Sequence, residues 1–220
     1  MTISSEFSMS SAFTFSVRPM SEDDLAGAVT LQRSCFPLPF PEELLWTLEH
    51  LTRHLSVFPE GQLVAEQGGD SMVVGSASSL ILSEDNWQRH SNWDETVGGF
   101  FFANHDPTGT TLFGADISVH PDARGQGIGR ALYQARFDLV RRLDLDRFGT
   151  ACRMPDYRNW ASATGGEPAE YAQAVARGDL RDRTLTPLLR AGLSFTGVIP
   201  DHMEDHESGN AAAILEWRPR

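Results

Sequence analysis

The sequence has few of the residues that build disulfide-rich or zinc-dependent folds. It contains only two cysteines, Cys35 and Cys152, and neither belongs to a Cys-x-x-Cys pair or to paired Cys and His spacing. A disulfide framework and a structural zinc site are therefore poor interpretations, so we expect no metal and a cytoplasmic location. Long apolar runs are also missing. No stretch of 18 consecutive apolar residues occurs, which predicts that nothing in the sequence spans a membrane.

Positive charge is scarce as well, because lysine is absent altogether. The sequence has 18 basic side chains against 30 acidic ones, which gives a formal net charge of −12. A chain of this charge is a poor partner for nucleic acid or for an anionic membrane surface, although it can attract a cationic acceptor. The hydrophobic share of 40%, with five Trp and thirteen Phe, predicts a folded core.

Nothing along the chain separates it into several domains. Residues 1–11 are rich in serine and lack both a basic cluster and an apolar run, so we expect a disordered tail and not a signal peptide or an anchor. Repeats and linkers are absent from residues 12–220, which predicts one domain. Its length leaves room for an insertion at about 153–182.

Hydrophobic periodicity predicts the order β-α-α-β-β-β-α-β-α-β-β, and hence a mixed α/β sheet. A capping pattern at 21–24 starts the first helix, and a Gly-Gly-Asp-Ser turn at 68–71 joins two strands. Residues 83–109 are interpreted as a long loop, with a short strand near 99–103, of the kind that often binds ligands. The predicted strands are 12–18, 61–67, 72–82, 110–119, 147–152, 193–199 and 211–217, and the predicted helices are 22–33, 42–55, 127–143, 168–177 and 184–191.

The most informative segment is 114–130, where a strand leads through a turn into a helix. Gly125, Gly127 and Gly129 leave backbone N–H groups unobstructed at the positive end of the helix, which suits a phosphate or pyrophosphate. Arg124 and Arg130 can add charge. A Walker A loop needs a lysine, and a Rossmann fingerprint needs glycine at position 130, so neither motif fits. The alternative is a glycine-rich helix start with no ligand, which would cost entropy without benefit.

The stretch Arg124-Gly-Gln-Gly-Ile-Gly129 resembles the signature of the GNAT superfamily of N-acetyltransferases, Arg/Gln-x-x-Gly-x-Gly/Ala. The preceding 119–124 is also typical of that family, and the family order of elements covers 12–218. The resemblance implies a GNAT-like acyl-CoA N-acyltransferase fold, a central mixed β-sheet flanked by helices. A narrower resemblance is to GNAT domains joined to nitrilase-type hydrolases, although no hydrolase domain is present in this sequence. It rests on 58–66, 74–79, 153–157 and 177–182.

The resemblance also implies a reaction. An acetyl group would pass from acetyl-CoA to a primary amine of a small molecule or peptide, by direct attack in a ternary complex. The alternatives are a larger acyl group or a non-catalytic acyl-CoA sensor or docking module. The main chain of 117–119 would bond the pantetheine arm, with the Val119 N–H polarising the thioester carbonyl, and the segment 124–130 would hold the pyrophosphate. The implied CoA-binding residues are Ile117, Ser118, Val119, Arg124, Gly125, Gln126, Gly127, Ile128, Gly129 and Arg130.

Asp116 is the first candidate for the general base. It is a carboxylate in an otherwise apolar strand, three residues before Val119, and an amine of pKa ~10 must lose a proton before it attacks. The alternative is a structural carboxylate paired with backbone groups or an arginine. Glu95 and the His105–Asp106 pair of the long loop are further base candidates, although loop side chains of this kind are usually solvated.

The sequence identifies the general acid less clearly than the general base. Many GNAT enzymes place a tyrosine four residues before the glycine that ends the last helix, but here that position is Leu188. Either Tyr157 or water would then protonate the leaving thiolate, and Tyr157 has ordinary packing as its alternative role. Tyr133 is a weaker candidate. Cys152 is interpreted as a buried, unreactive thiol.

The aromatic residues of the long loop have two interpretations. Trp46, Trp87, Trp93 and residues 100–102 can line an acceptor pocket, or they can simply belong to the core. The same exposed loop is suited to a homodimer contact.

Overall fold

The computed structural model describes residues 13–38, 40–68 and 72–220. Its centre is a seven-stranded sheet in the order β1-β2-β3-β4-β5-β7-β6. Neighbouring strands are antiparallel, with one exception, the parallel pair β4–β5. The strands are β1 Phe15–Pro19, β2 Gln62–Gln67, β3 Val73–Leu82, β4 Thr111–Val119, β5 Arg147–Arg153, β6 Ser194–Ile199 and β7 Ala212–Trp217.

Helices flank this sheet, as the predicted mixed α/β fold requires. Within the described ranges, none of them is both long enough and apolar enough to cross a bilayer. The helices are α1 Leu25–Cys35, α2 Leu48–Val57, α3 Glu84–Arg89, α4 Trp93–Val97, α5 Ile128–Arg142, α6 Tyr157–Thr164, α7 Pro168–Arg177 and α8 Leu185–Arg190.

Alternation along β2 shows how the two faces of the sheet are filled. Leu63 and Ala65 pack with Ile128 at the start of α5. Val64, between them, points to the other face and packs in the cluster that contains Leu31 of α1. Because successive side chains of a strand point to opposite faces, α5 and α1 cover the two sides of the same sheet. The segment that leads into α5 therefore lies at the edge of a well-packed layer.

The second helix begins later than predicted. The sequence predicted a helix over 42–55, but Glu42–Leu44 forms a single 3₁₀ turn and α2 starts at Leu48. Thr47 caps α2 by accepting a hydrogen bond from the His50 N–H at 3.2 Å. A threonine cap satisfies one of the free N–H groups of the first turn, which fixes the start of the helix at that point.

The segment 83–109 contains two short helices, so its interpretation as a loop with a strand near 99–103 was wrong. Ser83 and Asn92 cap α3 and α4 by accepting from the N–H groups of residues 86 and 95. Gly98, Gly99 and Phe102 have φ angles of 76°, 75° and 55°, which a strand does not allow. The short, polar helices lack the periodic apolar stripe by which sequence patterns identify a helix.

The segment 153–182 also contains one more helix than predicted. α7 and its end at Gly178, with φ 86°, agree with the sequence pattern. α6, just before it, was not predicted, and the two helices pack through Tyr157, Trp160 and Tyr171. The predicted tail over 1–11 and positions 69–71 of the predicted turn lie outside the described residues.

Two buried histidines predict how stability depends on pH. Burial lowers the pKa of His54 and of His202 to about 4 each. In the unfolded chain these side chains titrate near pH 6.5, so between about pH 6.5 and 4 the unfolded state binds protons that the folded state excludes. The free energy of unfolding is therefore expected to decrease as the pH is lowered across this window, by about 1.4 kcal/mol per pH unit for each histidine. Thermal unfolding at several pH values measures it.

A matched pair of variants isolates the effect. His54→Gln is expected to remove the His54 share of the pH dependence and leave that of His202, since glutamine carries no proton to exclude. His206→Gln, at an exposed position, is the control and should retain the full slope. A melting temperature that stays constant from about pH 6.5 to 4 would contradict the prediction.

Candidate active site

The site begins where β4 and β5 separate. Their parallel pairing is limited to three positions, Thr111 with Arg147, Leu112 with Phe148 and Phe113 with Gly149. Beyond these, β4 continues along β3 and β5 continues along β7. The segment 114–119 of β4 therefore has one edge that β5 does not cover.

A β-bulge lies at the point of separation. The register between β3 and β4 shifts so that Ser79 faces Gly114 and Ser78 faces Asp116, which leaves Ala115 as the extra residue. Bulges bend a strand and strengthen its twist, and here the bend turns β4 away from β5. The Ala115 carbonyl accepts a hydrogen bond from the Trp93 indole N–H at 3.1 Å, so the bulge is also supported by α4.

The uncovered edge of β4 presents main-chain groups at alternate residues. The His120 N–H donates to the Val74 carbonyl at 2.9 Å, which makes this pair a hydrogen-bonded one. Because hydrogen-bonded and non-hydrogen-bonded pairs alternate in antiparallel ladders, Ile117 and Val119 turn their N–H and C=O groups away from β3. Ser118 turns its main chain towards β3. Of the three residues predicted to bond a pantetheine arm, only Ile117 and Val119 therefore have main-chain groups on the open edge.

Two side chains already contact this edge. The Val119 carbonyl accepts from the Cys35 thiol and from the Arg124 Nε, each at 3.3 Å. Cys35 ends α1, and burial raises the pKa of its thiol, although the nearby Arg124 charge opposes that rise. The thiol is therefore a hydrogen-bond donor in this position and not a nucleophile.

The glycine-rich segment 124–130, which we call the cradle, presents an open main-chain surface at the start of α5. Gly127 is the residue that caps α5, and no side chain caps the helix there. The first N–H groups of a helix have no intrahelical partner, so those at the start of α5 remain available. The segment 124–130 is largely exposed, with only Ile128 buried. Charge and helix dipole would favour an anion at this position, and the predicted binding of a pyrophosphate there stays a prediction.

The three glycines are there for different reasons. Gly125 and Gly127 have φ angles of 78° and 88°, a region that other residues enter only with strain. A Cβ atom at either position would meet no protein atom within 4 Å. Gly129 is helical, and its Cβ would lie 4.0 Å from the Val119 side chain. Backbone conformation therefore requires glycine at 125 and 127, whereas position 129 tolerates alanine.

Asp116 lies on the face of β4 that α1 covers. Its Oδ2 is 3.4 Å from the Ser118 hydroxyl, and Gln32 and Trp46 also face the carboxylate. The residue keeps some accessible surface, but protein atoms surround the carboxylate so densely that burial raises its pKa. The Arg136 charge and the hydrogen bond from the Ser118 hydroxyl oppose that rise. A carboxylate that binds a proton more readily than usual is suited to act as a base.

Sequence reasoning did not place Gln32 or Cys35 beside Asp116 on this face, and it named Trp46 only as an aromatic residue that could line an acceptor pocket. Gln32 and Cys35 lie three residues apart on α1, and Trp46 follows in the next segment. Gln32 Oε1 accepts from the Trp46 main-chain N–H at 2.5 Å, while the Trp46 indole N–H is buried without a hydrogen-bond partner among the described residues. A glutamine beside Leu31, on the apolar stripe of the predicted first helix, was a signal that could have revealed Gln32.

The other base candidates serve the local structure of the long segment. Glu95 is exposed and lies in the first turn of α4. His105 Nδ1 accepts from the Ile81 N–H at 3.1 Å, and Asp106 Oδ1 accepts from the N–H and the hydroxyl of Thr108 at 2.9 and 2.7 Å. These contacts lie in turns and along β3, and none of them involves Asp116.

Tyr157 lies in a different part of the core from Asp116. It packs among α6 and α7, and its hydroxyl donates to the Gly166 carbonyl at 3.3 Å. Cys152 is buried with a raised pKa, as expected for an unreactive thiol. Tyr133 and Leu188 are buried in the same core as Tyr157. No hydrogen bond or ring contact among the described residues joins them to Asp116, although the Asp116 charge contributes to the raised pKa of Tyr133.

The predicted aromatic residues gather on the same face as Asp116. Trp46, Trp93 and Phe100 have ring centroids 5.6–5.8 Å apart. Trp46 is buried, whereas Trp93 and Phe100 keep part of their surface exposed. The cluster therefore belongs partly to the core and partly to a surface that can line a pocket. In the described ranges, no three His, Cys, Asp or Glu side chains are grouped so that they could hold a metal ion.

Comparison with known proteins agrees with this geometry. A family model described as the acetyltransferase (GNAT) family matches residues 25–164. The chain is 35% identical over 202 residues to the uncharacterized N-acetyltransferase YkwB of Bacillus subtilis, covering 92% of this chain and 88% of that protein. It is 34% identical to the probable hydrolase YhcX of the same organism, over 91% of this chain but only 38% of that protein.

Among solved structures, the fold resembles the GphF GNAT-like decarboxylase in complex with isobutyryl-CoA. The TM-score is 0.72 and the identity 21%, over 92% of this chain and 98% of that one. This similarity concerns the fold. The narrower resemblance to GNAT domains joined to nitrilase-type hydrolases stays a prediction.

Proposed function

Because the chain belongs to the acetyltransferase (GNAT) family, we propose that it transfers an acetyl group from acetyl-CoA to a primary amine. The acceptor is a small molecule or a peptide, and the amine attacks directly in a ternary complex. One observation carries this proposal. The uncovered edge of β4 at Ile117 and Val119 leads straight into the open cradle at the start of α5, so one continuous surface offers hydrogen bonds to both parts of an acyl-CoA.

Each part of that surface suits one part of the donor. The N–H groups of the cradle would take the pyrophosphate, with Arg124 and Arg130 adding charge. The main chain of Ile117 and Val119 would pair with the amides of the pantetheine arm. The Val119 N–H is a donor for the thioester carbonyl oxygen, a contribution commonly worth about 2.7–4 kcal/mol. The isobutyryl-CoA bound to the related fold supports an acyl-CoA donor.

Asp116 would accept the proton that the amine must lose. The amine nitrogen forms a bond to the carbonyl carbon, and the bond from that carbon to sulfur breaks. The proton from nitrogen passes to the Asp116 carboxylate, directly or through water, and CoA leaves as a thiolate. A thiolate is a fairly good leaving group, so protonation at sulfur is the less demanding step, and water can supply that proton.

Tyr157→Phe tests whether the leaving thiolate needs a side-chain acid. The hydroxyl of Tyr157 is already bonded to the Gly166 carbonyl, so we expect turnover to stay within about threefold of the unsubstituted protein. Stability should fall by about 1 kcal/mol, since that hydrogen bond is lost. Steady-state rates and thermal unfolding measure the two effects. A rate loss on the order of 100-fold with unchanged stability would instead assign the acid to Tyr157.

A second function, an acyl-CoA sensor or docking module without turnover, is favoured by one observation. Position 188 is leucine, and the Tyr157 hydroxyl is bonded to the Gly166 carbonyl, so neither of these two positions supplies an acid at the β4 edge. A binding module needs the cradle and the β4 edge but neither an acid nor a base.

Release of the CoA thiol separates the two functions. Acetyl-CoA is mixed with the protein and a panel of primary amines, and a thiol reagent follows the appearance of free CoA. We expect saturable release with at least one amine. Saturable binding of acetyl-CoA by calorimetry, with no release for any amine, would support the sensor. An absence of both binding and release would reject both functions.

A further inference from the structure

Arg136 is a fully buried arginine in the middle of α5. Only 1% of its surface is exposed. Its guanidinium donates to the Ser79 hydroxyl at 3.0 Å and to the Ser78 carbonyl at 2.8 Å, and it also bonds the Asp116 carbonyl. These three acceptors belong to β3 and β4 on the two sides of the bulge. The helix that begins at the cradle therefore carries the side chain that binds the bulge.

A charge in this position needs an explanation. Burying an ion costs several kcal/mol unless its partners compensate, and Arg136 forms no ion pair with a carboxylate of the described residues. The rings of Tyr133 and Phe148 lie 5.6 and 5.5 Å from its Cζ, so an apolar side chain would have suitable neighbours there. Packing alone would thus be served at lower cost by an apolar residue.

The residues around Arg136 leave space for its guanidinium. A Cβ atom at Gly114 would lie 2.7 Å from the Phe148 ring and 3.2 Å from Arg136 Nη1, so the start of the bulge has no room for a larger residue. A planar guanidinium can donate to several fixed acceptors at once, which an ammonium group cannot do with the same geometry.

The Arg136 charge also acts on the Asp116 carboxylate. The charged group that acts on the pKa of Asp116 is Arg136 from α5, and the Asp116 charge in turn acts on the titratable Tyr133 from α5 and Cys35 from α1. The remaining neighbours, Gln32, Trp46 and Ser118, are neutral hydrogen-bonding groups. Arg136 is thus the cation that acts against the effect of burial on the pKa of Asp116.

We propose that Arg136 is a positioning residue, which holds the β4 bulge so that the Ile117–Val119 edge and the Asp116 carboxylate keep the arrangement that acyl transfer requires. This inference rests on the proposed function. It links the cradle helix, the donor edge and the base through one side chain. Neither of the two substrates needs to touch Arg136 for its loss to affect both sites.

Three variants separate the charge of Arg136 from its hydrogen-bonding geometry. Arg136→Met removes both. Arg136→Lys keeps the charge but not the planar fork. Ser79→Ala is the matched control, since it removes one neutral acceptor of the same guanidinium and leaves the charge and the other two bonds. Circular dichroism and cooperative thermal unfolding establish which variants fold.

Two measurements are made on each folded variant. The first is calorimetric binding of acetyl-CoA. We expect affinity to fall about tenfold or more in Arg136→Met and Arg136→Lys, and to change less than about threefold in Ser79→Ala. The second is the titration of the Asp116 carboxyl by ¹³C NMR, assigned with Asp116→Asn. We expect Arg136→Met to raise its midpoint by at least about one pH unit, while Ser79→Ala and Arg136→Lys stay close to the unsubstituted protein.

A residue with only a structural role would leave the titration of Asp116 unchanged, so this measurement distinguishes the proposal from such a role. If Arg136→Met folds and Asp116 titrates as before, or if Arg136→Lys binds acetyl-CoA normally, the proposal is overturned. Should Arg136→Met fail to fold, the binding of Arg136→Lys beside Ser79→Ala decides the matter. If the unsubstituted protein binds no acetyl-CoA, the proposed function fails, and the titration still tests the coupling of Arg136 to Asp116.

Discussion

Gly127→Ala is expected to weaken acetyl-CoA binding on the order of 100-fold, whereas Gly129→Ala should leave it within about threefold. Gly127 has a φ of 88°, which costs alanine about 1–2 kcal/mol, so the variant either strains the cradle or turns its N–H groups away. Hydrogen bonds to a charged group are worth about 1.5–3 kcal/mol each, so the loss of one or two explains the expected decrease.

Gly129→Ala is the matched control because it adds the same methyl group two residues further on. That position is helical and has room for a Cβ, and the family signature admits alanine there. Alanine favours a helix over glycine by up to about 1 kcal/mol, so the control should be as stable as the unsubstituted protein or slightly more stable. Calorimetry with acetyl-CoA and thermal unfolding provide both readings. Normal binding by Gly127→Ala would mean that the cradle has been assigned to the wrong segment.

Asp116→Asn is expected to lower kcat/KM by about 10²- to 10⁴-fold, the usual contribution of a general base. Catalysis needs the carboxylate form, so the rate of the unsubstituted protein should fall as pH decreases through the pKa of Asp116. Burial raises that pKa above its ordinary value of 3.8, which places the acidic limb of the profile above pH 3.8. The asparagine variant should lack this limb. Thiol release, measured against pH with an amine that the enzyme accepts, gives the profile.

The stability of this variant should move in the opposite direction from its activity. Between the ordinary value of 3.8 and the raised pKa, the folded state retains a proton that the unfolded state releases, so stability falls as pH rises through that window. Asparagine carries no buried charge and removes this loss. Asp116→Asn should therefore be at least as stable as the unsubstituted protein at neutral pH. A destabilised variant with full activity would make Asp116 a structural carboxylate.

Local patterns were sufficient to predict the parts of the site that are continuous in sequence. The strand–turn–helix around Gly125, Gly127 and Gly129 was predicted within one residue at either end of the helix, because glycine spacing and helical periodicity are both short-range signals. The predicted order of strands was also confirmed. The polar cluster around Asp116 could not be predicted from local patterns, because Gln32 and Cys35 precede Asp116 by about 80 residues and meet it only through the packing of α1.

The bulge in β4 shows a second kind of limit. Nothing in the sequence around Ala115 distinguishes a bulged residue from a regular one, because the shift is a property of the pairing between β3 and β4. Arg136 illustrates the same point. Its position on α5 does not reveal that its acceptors are the main-chain and hydroxyl groups of two strands. In the same way, short capped helices such as α3 and α4 are too polar to differ from loops by periodicity alone.

The contacts of the Val119 carbonyl have a consequence for the energetics of donor binding. This oxygen is already satisfied by the Cys35 thiol and the Arg124 side chain, so a ligand amide that approaches it exchanges hydrogen bonds and does not simply add one. Exchanges of this kind contribute little net free energy. The pantetheine arm would then align the thioester more than it increases the affinity, and the diphosphate end would set most of the affinity. Fragments of acetyl-CoA that carry only one of these two ends should therefore differ widely in their affinity for the protein.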